Sequence, residues 1–177
     1  AKALEHILNT EQEIINSASI LKEKLKNNKP LSFPFEENNF AKQMQIATEL
    51  INANMNIPFY KLSLGSFDTH INQLPAHAKL LSQLSHAIYT MRENLIESNM
   101  WQNTTIMTYS EFGRRVAENA SKGTDHGTAA PHFIIGGNIK GGKLIGKYPS
   151  LSKLDKNGDL EYTFSMNDYY RAKKSFL

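Results

Sequence analysis

The stretch PFYKLSLG, Pro58 to Gly65, alternates apolar and polar residues through part of its length, as a half-buried strand does. After it, Leu80, Leu84, Ile88, Met91 and Leu95 recur at helical spacing. NTTIMTYS, Asn103 to Ser110, is then rich in β-branched residues and reads as a second strand, and HFIIGG, His132 to Gly137, as a third. With Pro58–Gly65 as the first strand, the order strand, helix, strand predicts a right-handed parallel crossover and an α/β sheet.

Upstream, Leu4, Ile7, Leu8, Ile14, Ile15, Ala18, Leu21 and Leu25 predict a long amphipathic helix that stops at NNKP, before Pro30. Phe40, Met44, Ala47, Leu50 and Ile51 predict a second helix. Downstream, the turn residues of GGKLIGKYPSLSKLDKNGDLEYTF predict a hairpin or a long excursion before a short terminal helix. The chain therefore divides into a helical front (1–55), a central α/β core (56–149) and a tail (150–177) of one domain.

Composition narrows the chemistry. At 177 residues and 40% hydrophobic content, the chain can bury the core of an ordinary domain. Lys and Arg number 20 against 17 Asp and Glu, a net +3 without a basic stripe interleaved with aromatics, so nucleic acid is not an expected partner. Cysteine is absent, which excludes disulfides, thiolate metal sites and cysteine nucleophiles. No apolar run approaches the roughly 18 residues of a membrane span, and no leader is visible at Ala1. Oligomeric state is not legible.

In a parallel α/β sheet, ligands gather at the carboxyl ends of strands. FDTH follows the first expected strand and SEFGR the second, which would set Asp68, His70, Ser110 and Glu111 side by side. The glycine-flanked loop KGTDHGTA would bring Asp125 and His126 to the same edge. Carboxylate and neutral imidazole suit zinc or manganese, and an oxygen-rich mixture also admits magnesium or calcium. The plainer readings are chance occurrence of Asp-x-His and a helix-capping role for Glu111.

Other residues carry weaker signals. Arg114 either clamps an oxyanion or pairs on the surface, and Arg115 is expected to pair with Glu118. His6, His77 and His86 read as surface or packing residues, as does His132 at the mouth of the third strand. The glycines of GGNIKGGKLIG form turns more readily than a phosphate cradle, since no Gly-Lys-Ser/Thr ending follows. Ser110 with His126 as base would make a hydrolase pair, but YSEFG lacks the glycine before serine that a nucleophile elbow needs.

Taken in order, GSFDTHINQ, LLSQLSHAIYTM and TTIMTYSEFGRRVAENASKGTDHGTAAPHFIIGGNIKGGKLIG resemble the C-terminal part of a widespread bacterial family of uncharacterised proteins. Many of its members are exported by a twin-arginine signal, and the family is placed in the alkaline phosphatase and sulfatase superfamily. The resemblance runs from about Phe40 to about Pro149. It implies a three-layer α/β/α sandwich around a mostly parallel sheet, here a partial domain, and a periplasmic or exported location. It also implies a metal-dependent hydrolase of phosphate or sulfate esters, acting on a small-molecule or glycan ester. The alternative is a non-catalytic exported protein of the same fold that binds a partner or a glycan.

Carried onto this chain, the resemblance makes Asp68, His70, Asp125 and His126 metal residues, zinc being the first choice of ion, with Glu111 and Arg114 as catalytic groups. Ser110 and Glu111 stand where the superfamily places Asp-His, which favours one metal or an altered site. The superfamily's early-strand nucleophile has no counterpart, as expected of a C-terminal fragment.

Overall fold

The computed structural model describes residues 2–176, with side chains described for residues 10–12 and 15–171. The predicted first helix is present as α1 (Lys2–Lys26). The side chains of Leu4, His6, Ile7, Leu8 and Ile14 lie outside the described residues.

Helix α2 (Asn39–Asn52) begins where Asn38 Oδ1 accepts a 2.8 Å hydrogen bond from the Ala41 N–H, which satisfies one of the donors that a helix start leaves open. Its buried residues Phe40, Met44 and Ala47 follow the three-to-four spacing read from the sequence. Helix α3 (Gln73–Glu97) buries Leu80, Ala87, Met91 and Leu95 by the same rule. These two faces pack on each other, and Trp101, in a single 3-10 turn (Trp101–Asn103), joins the same cluster. Buried Asn94 is fully engaged: its amide donates to the Phe33 and Thr90 carbonyls at 2.9 Å, and its Oδ1 accepts from the Phe33 N–H at 3.1 Å. This ties the LSFPF loop to α3 without leaving a polar group unpaired.

Four short strands follow: β1 (Thr105–Met107), β2 (Gly113–Glu118), β3 (Thr124–Gly127) and β4 (Ile134–Gly136). They form two separate antiparallel pairs. β1 pairs with β4, placing Ile106 opposite Ile135, and β2 pairs with β3, placing Arg114 opposite His126, with an irregularity between Arg114 and Glu118. Helix α4 (Met166–Phe176) docks through buried Tyr169, whose hydroxyl lies 2.8 Å from the carbonyls of both Thr108 and Phe133.

The expected three-layer α/β/α sandwich with a mostly parallel, alkaline phosphatase-like sheet is therefore overturned: the described residues hold only two antiparallel two-stranded sheets. The reason lies at Pro58–Gly65. Tyr60, Leu62 and Leu64 do turn toward the core, with Lys61 and Ser63 exposed between them, so the alternation is real. The segment nonetheless joins no ladder. At Ser63, the N–H donates to Gln43 Oε1 and the carbonyl accepts from Gln43 Nε2, each at 3.0 Å. A side-chain amide thus occupies the place of a neighbouring strand's peptide. Alternation specifies which face is buried; it does not specify a pairing partner. Without a strand before α3, the described residues form no parallel crossover.

Candidate metal centre

The β2–β3 hairpin is a tight construction. Asn119 Oδ1 accepts from the N–H groups of Ser121 and Gly123 at 2.9 and 3.0 Å, while the Asn119 N–H donates to the Gly123 carbonyl at 2.8 Å. This side-chain turn holds Lys122 at φ 59°, in the left-handed region. The hairpin tip then meets the start of α3. The N–H groups of Asn72 and Gln73 donate to the carbonyls of Ser121 and Lys122, both at 2.9 Å. Thr124 Oγ1 donates to Gln73 Oε1 at 2.8 Å, and Asn119 Nδ2 to the His70 carbonyl at 3.0 Å. At Gly123 a Cβ would lie 2.3 Å from the His70 oxygen, so only glycine permits this approach.

Arg114 completes the clamp. Its guanidinium donates to the carbonyls of Phe67 and Thr124 and lies 3.4 Å from Thr69 Oγ1, joining the loop before α3 to the hairpin. The FDTH segment is thereby fixed against β3.

That docking brings three side chains to one point. Asp68 Oδ1 lies 2.9 Å from His70 Nε2 and 2.7 Å from His126 Nε2, and one ligand atom from each residue falls within 4.8 Å of the others. On its far side, His70 Nδ1 faces Asp125 Oδ1 at 3.4 Å, and Asn119 Nδ2 reaches the same oxygen at 3.5 Å. The two imidazole rings sit 4.9 Å apart. Phe112 stacks on His126 with centroids 3.8 Å apart and planes 10° from parallel, which limits rotation of the imidazole. The cluster opens to solvent, with the Asp68 side chain 63% exposed and each histidine 43%.

The hydrogen bond from His126 is the main cause that holds the Asp68 carboxyl below its ordinary range; desolvation, the next largest cause, opposes it, and the charge of His126 and the contact with His70 add to the lowering. A carboxylate facing two Nε2 atoms is a suitable donor set for a divalent cation: two nitrogens and one oxygen, with room for water or substrate. Asp125 stands where an outer carboxylate would fix the His70 ring with Nε2 toward the ion.

Of the residues singled out in the sequence, Asp68, His70 and His126 converge, and Asp125 adjoins them through His70. Glu111 is exposed beside Phe112 and shows no hydrogen bond or ion pair with another described residue. Ser110 Oγ donates to the Phe112 carbonyl at 2.9 Å. Arg115 pairs with Asp159 at 3.1 Å in place of the expected Glu118. His77 packs edge-on to Phe67, His86 pairs with Glu36 at 2.7 Å, and His132 lies 5.5 Å from the Tyr169 ring. Gly136 and Gly137 press against the backbone of Trp101 to Thr105, which explains them without a phosphate. Phe112 and Asn119 were not anticipated. Only Asn119 had a signal, an Asn four residues before a Gly between two polar runs.

No helix among the described residues is long and apolar enough to cross a membrane. No curated protein and no solved structure matches the chain, and nothing found links it to the alkaline phosphatase and sulfatase superfamily. A family model does match, over residues 8–163, and the chain belongs to that family, described as Protein of unknown function (DUF1501).

Proposed function

We propose that Asp68, His70 and His126 hold one divalent metal ion, zinc in the first instance, and that the centre serves hydrolysis of phosphate or sulfate esters. The observation that carries this reading is the convergence of both Nε2 atoms on one oxygen of Asp68. Ligand atoms around a tetrahedral zinc lie about 3.3 Å apart, given bonds of about 2.0–2.1 Å. The present contacts of 2.7 and 2.9 Å would open by about half an ångström to admit the ion, and the separation of the two histidine nitrogens, within 4.8 Å, would adjust toward the same value. When bound, such an ion polarises an ester oxygen and acidifies a coordinated water.

The chain's own groups have distinct parts. Asp125, whose Oδ1 faces His70 Nδ1 at 3.4 Å, would orient the ring with Nε2 toward the ion. Phe112 fixes the plane of His126 and walls one side of the site. Arg114, engaged by two carbonyl oxygens, is a positioning residue for the FDTH loop. Glu111, exposed and uncommitted next to Phe112, is the proposed base for a water molecule.

The engagement of Arg114 also favours a second reading, a metal-binding protein without turnover, because it leaves no free guanidinium described at the centre to meet a phosphoryl group. Nitrophenyl phosphate and nitrophenyl sulfate separate the two. The hydrolase reading expects zinc-dependent release of nitrophenol that chelation, Asp68→Ala and His126→Ala each abolish. Release that survives all three sinks it, and zinc binding without release selects the second reading.

A further inference from the structure

A separate cleft of about 300 Å³ lies beside the start of α2, a size at the lower end of small-molecule pockets. Its floor is apolar, made of Phe40 and Leu80, which are buried, and half-buried Leu64. Around that floor stand the side chains of Asn39, Ser63, Ser66 and Gln83, none of which makes a hydrogen bond to another described residue. Two amides and two hydroxyls are thus uncommitted at one concavity. Each can both donate and accept.

The chemistry of the lining selects the ligand. Among the described residues, no lysine or arginine lines the cleft. The donor end of α2 is already capped by Asn38, whose amide in turn donates to Glu36 at 3.2 Å. A neighbouring carboxylate and a capped helix disfavour an anion. An apolar floor with neutral donors and acceptors at its rim fits a ring that is apolar on its faces and hydroxylated at its edges. We propose that this cleft binds a neutral sugar ring, C–H face on Phe40 and Leu80 and hydroxyls toward Asn39, Ser63, Ser66 and Gln83. Binding does not depend on the metal reading, although Ser66 stands only two residues before Asp68, within about 7 Å along the backbone.

The test is amide proton–nitrogen correlation spectroscopy of the whole chain in the presence of a chelator, with glucose, galactose, N-acetylglucosamine and inorganic phosphate added separately. The expected result is a saturable shift of the Asn39, Ser63, Gly65 and Ser66 amides with at least one sugar. Gln83→Ala, at a half-exposed helix position, should raise the Kd roughly tenfold, and Gly141→Val, at a position with nothing within 4 Å, should leave it unchanged. Absence of saturable shifts with all three sugars overturns the proposal. So does a response to phosphate alone, or an undiminished sugar response in Gln83→Ala. Because chelator is present throughout, failure of the metal reading leaves this result unaffected.

Discussion

Asp68 carries the site with a single oxygen that faces the imidazole of His70, two residues on, and that of His126, 58 residues away. The sequence announced the chemistry of Asp68, His70, Asp125 and His126 because carboxylate and imidazole are the ligand types available in a cysteine-free chain. It did not announce Phe112, whose value lies in a stacking distance that no local pattern encodes. Asp125 has a defined test. If its carboxylate orients His70, Asp125→Ala should weaken zinc affinity about 10- to 100-fold while leaving the fold intact. Competition against a chromophoric chelator measures this, and an unchanged affinity would remove Asp125 from the centre.

Among the elements, the hairpin decides the outcome. The helices were legible because their buried residues recur every three or four positions over long runs, and α2 and α3 bury the residues that the spacing named. The strands were less so. β2 buries only Gly113 fully and exposes its last three residues, so GRRVAE offers little alternation to read. Pro58–Gly65 offered alternation without a partner. The first expectation of a parallel sheet thus rested on a pattern that reports burial and is silent on pairing. The hairpin's role can be broken at Gly123, where a side chain would collide with the backbone of His70. Gly123→Val should lower Tm by several degrees, as a loss of about 1–3 kcal/mol would, and should weaken zinc binding at least as much as Asp125→Ala does. Gly141→Val is the control, since nothing lies within 4 Å of that position. Equal effects in both variants would show that the hairpin does not set the site.

For the whole molecule, stability and metal binding should respond to pH in the same direction for different reasons. Burial beside Tyr169 lowers the pKa of His132 from its ordinary 6.5. A group whose folded pKa is depressed contributes stability above its unfolded pKa and loses it as pH falls toward the folded value. Denaturant midpoints should therefore decline below about pH 6.5, and His132→Gln should flatten that decline. An equally steep decline in His132→Gln would assign it elsewhere. Zinc binding should also weaken toward acid, because protons compete with a metal ion for its ligands.

The most direct measurement is zinc content after equilibrium dialysis of the full chain beside Asp68→Ala and His126→Ala, with circular dichroism confirming that all three are folded. The expected result is about one zinc per chain in the parent and none above background in either variant. Undiminished zinc in the folded variants, or none in the parent, would contradict the claim that Asp68, His70 and His126 form a metal centre.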